Sequence, residues 1–443
     1  MNAVFFAIVL ISFLIAGYRE ITWQEVENTA SPMEALAGGM VDTATDAVTL
    51  AIGLIGVMAL FLGLMKVAEE GGLLTIIARL LRPVMVRLFP EVPAEHPAMG
   101  AMILNLSANV MGLGNAATPF GIRAMQELDK LNPVKGTATN SMVLFLAINT
   151  SSVTLLPTGV IALRAAAGSQ DPAGILPTTL FATLCSTIVA VIAAKLYSRY
   201  FPVTAGAPTS AEDRPPPEDY EIDAAPESEG AVREAEAAVD AGSAYPGWVS
   251  AVALAGVLAL IPLAISFGGA ISPWIIPGLM VALLGFGVAK RVRVYEVFVE
   301  GARDGFQVAV RIIPYLVAIL VAVGMFRASG AMEMIVGPLG AITGRFGLPA
   351  DALPMALLRP LSGSGAYGIL AAIIENPAIG PDSYTGYLVS TLQGSTETTF
   401  YVLAVYFGAV HIRRIRHALA AGLTADLAGI AAAVFICSLL YAA

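Results

Sequence analysis

The chain alternates between long apolar runs and short polar connections. Residues 1–18, 46–67, 177–196, 248–267, 275–288, 306–326 and 418–440 read as membrane-spanning helices, because a crossing needs roughly 17–25 mainly apolar residues. A transmembrane β-barrel would instead show segments of about ten residues with alternating polarity, and no such pattern is present.

Four runs are apolar enough to enter a bilayer but are interrupted. Residues 97–125 carry Asn105, Ser107, Asn109, Gly112, Gly114 and Asn115 in their middle, which suits two half-helices meeting at a tip. A single kinked span is the alternative. Residues 353–374 repeat the theme around Arg359-Pro360-Leu361-Ser362-Gly363-Ser364-Gly365. Residues 138–163 break at Asn149-Thr150-Ser151-Ser152, and residues 384–410 break at Gln393-Gly394-Ser395-Thr396-Glu397-Thr398-Thr399. Residues 71–88 and 331–346 are amphipathic and suit helices lying in the interface. The predicted fold is an all-α polytopic membrane protein. It has about nine transmembrane helices, two re-entrant helical hairpins and two interfacial helices.

Composition agrees. The chain is 57% hydrophobic and 13% charged, against about a quarter charged in soluble proteins. The net charge of −9 comes from one place: eleven acids and two bases lie between Glu212 and Asp240. That Pro-, Ala- and acid-rich linker lacks the apolar residues to offset ordering entropy and is expected to be disordered. The membrane part is formally neutral and offers no basic field for nucleic acid. Cys185 and Cys437 sit in apolar runs as packing residues, with no metal or disulfide pattern. Ala3–Ala16 lacks a basic leader and a cleavage site, and is expected to be a retained helix. No nucleophile elbow, zinc-protease or P-loop motif is present, so an enzyme is not expected.

The order of elements from Asp46 recurs from Phe306: long span, amphipathic helix, hairpin, broken span, plain span. The break Asn149–Thr154 pairs with Gln393–Thr398, so Val153 stands where the second half has Glu397. The domains are then 1–200, the linker 201–246, a connecting helix 247–270, and 271–443. With the N-terminus inside, sixteen Lys/Arg fall at cytoplasmic ends and four (Arg19, Arg164, Arg327, Arg345) outside. This predicts a bacterial cytoplasmic (inner) membrane protein with N-terminus and linker cytoplasmic and the two halves inverted. Inverted repeats with discontinuous helices are the architecture of secondary transporters, whose solute site lies near mid-membrane.

The residues also carry a resemblance. Asn109-Val-Met-Gly-Leu-Gly-Asn-Ala-Ala-Thr-Pro119 with Asn149-Thr-Ser-Ser-Val-Thr-Leu-Leu-Pro157 resembles spore maturation protein A. Arg359-Pro-Leu-Ser-Gly-Ser-Gly-Ala-Tyr367 with Gln393-Gly-Ser-Thr-Glu-Thr-Thr399 resembles spore maturation protein B. The chain is similar to a fusion of the two, both of the nucleoside-recognition (Gate) domain family. Similar domains occur in concentrative nucleoside transporters and the FeoB membrane domain. The resemblance implies a transport-like fold and an elevator motion of the hairpin-bearing part. It does not imply nucleosides, since the motifs that hold nucleosides and sodium in those carriers are not evident here.

The candidate site is a cavity between hairpin tips and breaks. The first half offers Asn105, Ser107, Asn109, Asn149, Thr150, Ser151 and Ser152. The second offers Arg359, Ser362, Ser364, Gln393, Ser395, Thr396, Glu397 and Thr398. Hydroxyls and amides suit a small polar solute. The planar fork of Arg359 suits a carboxylate or phosphate, with Glu397 as a proton or cation site; the alternative is a structural Arg359–Glu397 ion pair. The expected function is secondary transport or export, by alternating access, of a small polar solute that could be anionic, in a bilayer, as a homo-oligomer, without cofactor beyond a coupling sodium ion or proton. The alternative is a non-transporting scaffold that holds partners.

Overall fold

The computed structural model describes residues 2–24, 30–202 and 245–441. The acidic linker lies outside the described residues, as does the side chain of Arg311, which the sequence places within the membrane. Regular structure among the described residues is helical apart from one bridge pair, Thr137–Arg414.

Helix α1 (Asn2–Ile21) comes first, and two long helices then form a spine. Helix α2 (Pro32–Glu70) starts at a reciprocal cap: the Ser31 hydroxyl accepts from the Glu34 N–H while the Glu34 carboxylate accepts from the Ser31 N–H. At 39 residues it rises about 58 Å, well beyond an apolar bilayer core of about 30 Å. It lies antiparallel to a later helix, Val294–Ala328. An added Cβ on Gly305 would meet the Ala59 backbone at 2.7 Å, and one on Gly301 would meet the Leu62 carbonyl at 2.7 Å. Gly301 and Gly305 face Ala59 and Gly63, four apart on each helix. Small residues at that spacing let two backbones touch where lipid supplies no hydrophobic drive.

Both spine helices turn sharply into an interfacial piece at a glycine of positive φ. Gly72 (φ 82°) leads into α3 (Leu73–Leu88). Gly330 (φ 79°) leads into a π-turn, Met332–Val336, and a short helix, Gly337–Thr343, bent 77° from Leu316–Ala328. Helical segments are present at both positions where interfacial helices are expected.

The two hairpins are α4 (Pro97–Val110) with α5 (Gly114–Lys130), and a later pair, Leu353–Leu358 with Gly363–Ile374. The kinked-span alternative for the first is thereby set aside. Its tip is Met111–Leu113, so Asn105 and Ser107, expected at the tip, lie inside α4. The glycines decide the turn, Gly112 adopting φ 78°. Both broken spans break as expected. Helix α6 (Asn140–Ser151) stops and α7 (Thr158–Ala166) resumes; later, Tyr384–Ser395 stops and Thr399–Gly408 resumes. Plain helices α8 (Ile175–Tyr197) and Ala418–Tyr441 follow each.

Between Pro246 and Lys290 the two apolar stretches expected as spans are joined by continuous helical backbone. The backbone is one helix, α9 (Gly247–Ala289). No charged residue stands in that stretch to stop a helix. In order, the remaining helices are α10 (Val294–Ala328), α11 (Gly337–Thr343), α12 (Leu353–Leu358), α13 (Gly363–Ile374), α14 (Tyr384–Ser395), α15 (Thr399–Gly408) and α16 (Ala418–Tyr441). Against the expected count of crossings, three helices among the described residues (α2, α8, α16) are long and apolar enough in one piece, and a bent pair makes a fourth. The broken spans are built from half-helices, which no length criterion recognises.

Loop contacts set the relative direction of the two broken spans. The loop after α15 docks beside the loop before α6: Arg413 N–H donates to Gly136 O at 3.0 Å, and Arg416 Nη1 donates to Ala138 O and Asn140 Oδ1, each at 3.0 Å. The loop after α7 docks beside the loop before α14, through Arg164 to Pro381 O at 2.6 Å and to Asp382 at 3.0 Å. The broken spans therefore run antiparallel, each gripped by an arginine from the end of the other. Arg164, expected in an outside loop, is fully buried, with its guanidinium 4.2 Å over the Tyr387 ring.

Candidate functional site

Each hairpin tip clasps the break of its own half. In the first half, Leu155 N–H donates to Val110 O at 3.0 Å, and Asn109 Nδ2 donates to Asn149 Oδ1 at 3.0 Å. In the second, Phe400 N–H donates to Pro360 O at 3.1 Å, and Arg359 Nε donates to Gln393 O at 3.1 Å. Asn149 and Gln393 are the residues that pair in the internal repeat. The breaks also meet each other: Glu397 N–H donates to Thr150 O at 2.7 Å. A helix end in lipid must place its open carbonyls and N–H groups somewhere, and here the two ends serve one another.

A cavity of about 480 Å³ lies against this junction. Its wall includes both tips (Gly112, Leu113, Gly363, Ser364), both breaks (Thr154, Pro157, Gln393, Gly394, Glu397) and the spine. The lining climbs α2 from Leu54 to Glu69, about 22 Å of helix rise.

Of the predicted site residues, Asn109, Arg359, Ser364, Gln393 and Glu397 line the cavity. The others are not among its lining residues. Asn105 Nδ2 donates to Ala117 O at 2.7 Å and to the Tyr406 hydroxyl at 3.1 Å. Ser107, Thr150, Ser151 and Ser395 each return a hydroxyl to a carbonyl of the preceding turn. The Ser362 hydroxyl caps α13 by accepting from Gly365 N–H at 3.0 Å. Ser152 is buried at the break with an unpartnered hydroxyl. Thr396 through its carbonyl and Thr398 through its hydroxyl accept from Arg359.

Arg359 is 5% exposed, and its three nitrogens are engaged. Besides Gln393 O, it donates from Nη1 to Thr398 Oγ1 at 3.0 Å and from Nη2 to Thr396 O. Glu397 lies 3.7 Å from Nη2 with its side chain 46% exposed toward the cavity side. The fork thus grips the break with one N–H from each nitrogen. The ion pair is the looser of its contacts. Gln393 Oε1, by contrast, is buried without a partner at the cavity wall.

The spine supplies lining residues that the sequence reading missed: Lys66, Glu69, Asp304 and Gln307. The signal was present. Each pair is three apart on its helix, which puts both members on one face, and Gly301–Gly305 marks where α10 closes on α2.

The sequence profile of the nucleoside-recognition family, Gate, matches residues 51–167 and 309–413, one copy in each half. The chain belongs to the Gate family. It is 50% identical to spore maturation protein A of Bacillus subtilis (strain 168) over 158 residues, which is 36% of this chain and 79% of that protein. It is 47% identical to spore maturation protein B of the same organism over 166 residues, 38% of this chain and 92% of that protein. The two Gate copies cover the hairpins, both breaks and the greater part of both spine helices. Among solved structures, the Alcanivorax borkumensis YdaH transporter aligns over 98% of this chain and 97% of its own, at 15% identity and a TM-score of 0.34. A likeness that weak carries no inference about function.

Proposed function

We propose that this Gate protein is a secondary transporter of a small polar solute, which binds between the hairpin tips and the broken helices and moves by alternating access. The observation that carries the reading is the cavity itself. At about 480 Å³ it is within the range of about 300–1,000 Å³ typical of small-molecule sites. Both halves of an inverted repeat build it at the point where their helices are interrupted, which is where secondary transporters place their solute.

The lining narrows the solute class. Arg359 is used by the break, while Glu69, Asp304 and Glu397 outnumber Lys66 among the remaining charges. With the amides of Asn109 and Gln393 and the hydroxyls of Ser364 and Thr154, this wall suits a neutral or zwitterionic polar solute better than an anion. The family's description, nucleoside recognition, concerns neutral polar molecules of that kind. The cavity runs toward the end of α2 that carries Lys66, with Arg79, Arg82 and Arg87 beyond it. By the positive-inside rule that face is cytoplasmic, which makes this conformation the inward-facing one, in a bacterial inner membrane.

The test is flux in proteoliposomes across a panel of neutral, zwitterionic and anionic metabolites. Saturable uptake of a neutral or zwitterionic solute, altered in Glu397→Gln, is expected. No flux for any solute, together with a partner protein that copurifies through the acidic linker, would replace transport with a scaffold role.

A further inference from the structure

Helix α16 is mainly apolar and carries one charged residue, Asp426, buried at 3% exposure. Thr399, the first residue of α15 after the second break, donates its hydroxyl to Asp426 Oδ2 at 2.7 Å. Oδ1 has no hydrogen-bond partner. Among the described residues no base forms an ion pair with this carboxyl; the one charge that acts on it is Arg359, across the break and engaged there. The helices packed against α16 present hydroxyls at this level. Ser186 of α8 donates to Ala425 O at 2.8 Å, and the modest space left by Gly422 and Gly429 is filled by Thr150, Thr396 and Thr399.

An ionised carboxylate in such a place bears a desolvation penalty of several kcal/mol, against which stand only the Thr399 hydrogen bond and the Arg359 charge across the break, with no direct ion pair among the described residues. A proton on Oδ1 removes the charge at the one oxygen that nothing else reaches. We propose that Asp426 is a proton-binding site behind the second break. Its chemistry stands on this geometry alone; its role as the coupling site rests on the transport reading above. The proton is taken from water, forms an O–H bond at Oδ1, and leaves the carboxyl neutral. The change is felt at Thr399, because a hydrogen bond to a carboxylate is roughly twice as strong as one to a neutral group. Thr399 begins the half-helix whose preceding residues, Thr396 to Thr398, are held by Arg359 and carry Glu397 to the cavity wall. Loading Asp426 therefore loosens one anchor of the break that faces the solute. Helix α8 of the first half has no acid between Ile175 and Tyr197, so this device belongs to the second half, as Glu397 does.

The test is infrared difference spectroscopy of the full chain in lipid nanodiscs, titrated with pH. The wild type is expected to show a protonated-carboxyl carbonyl band that vanishes at high pH, is absent from Asp426→Asn, and persists in Glu397→Gln. Thr399→Val is expected to shift that band's frequency, since it removes the hydrogen bond at Oδ2; this second variant decides the matter should Asp426→Asn fold poorly. A full set of bands retained in Asp426→Asn, an unmoved band in Thr399→Val, or a band that answers to sodium at fixed pH would overturn the proposal. In proteoliposomes, a pH gradient is expected to drive net flux in the wild type, while Asp426→Asn keeps solute exchange and loses the response to the gradient. A variant that keeps the response refutes the coupling role. Absence of any wild-type flux would sink the transport reading, and the infrared result would still decide whether Asp426 takes up a proton.

Discussion

Replacing Arg359 by Met separates the two roles that the sequence left open for this residue. The substitution keeps the aliphatic stem and removes the fork. It strands the carbonyls of Gln393 and Thr396 and the Thr398 hydroxyl, all acceptors of Arg359 in the native protein. A buried polar atom that loses its partner costs about 1–3 kcal/mol. Cavity water can reach some of these groups, so the sum is set toward the lower end, about 3–5 kcal/mol, the scale for removing one partner from a buried charged network. Glu397→Gln removes only a 3.7 Å contact from a side chain that is 46% exposed, worth about 0–1 kcal/mol. Thermal unfolding in detergent, followed by tryptophan fluorescence, is expected to place Arg359→Met far below wild type and Glu397→Gln close to it. Solute binding by the folded fraction of Arg359→Met is expected to remain, whereas Glu397→Gln changes affinity or selectivity. An Arg359→Met protein that melts like wild type yet binds no solute would refute the reasoning and return Arg359 to the solute.

Other consequences are equally direct. Gly305→Ala forces a methyl into the Ala59 backbone and should cost about 1–3 kcal/mol by overpacking; Gly278→Ala, with open space around it, should be neutral or slightly stabilising in the same melt. Arg164→Met should destabilise by about 3–5 kcal/mol, since it strips the grip on Pro381 and Asp382, and Arg164→Lys should not restore it, because a point charge cannot span that planar set. His417, in the loop before α16, is fully buried beside Arg416 with neither ring nitrogen hydrogen-bonded, the Ala194 backbone lying close without completing a bond. Burial, then the Arg416 charge, hold its imidazole below the usual value of about 6.5. The unfolded chain therefore binds the proton first, so stability contributed here is full above about pH 6.5 and falls as pH drops below it; His417→Gln should flatten that acid limb in melts run from neutral to mildly acidic pH.

The periodicity of apolar runs was enough to place the hairpins, the interfacial helices and both breaks, because in lipid a polar or glycine-rich interruption has few structural solutions. The pairing of the breaks was legible for the same reason: Asn149 and Gln393 do occupy equivalent places, each tied to its own hairpin tip. Between Pro246 and Lys290 the sequence suggests a break at Gly268-Gly269 and Pro273, residues that disfavour a helix interior, and the backbone stays helical through them.

Which polar side chains face the cavity was decided only in three dimensions. Ser107, Thr150 and Ser151 look like ligands in sequence, yet a hydroxyl on a helix can always bond back to its own preceding turn, and these do. Lys66, Glu69, Asp304 and Gln307 look like polar residues at helix ends and become lining because Gly301 and Gly305 draw α10 against α2. Asp426 was passed over as one acid in a plain span; its meaning comes from Thr399, 27 residues earlier, and from the absence of a partner at Oδ1. The chain's own pattern determines where polar groups must interrupt the membrane helices, since that cost is local. Whether a given group is satisfied, exposed to solute or left to take up a proton depends on neighbours brought together by packing, and the tertiary structure alone supplies them.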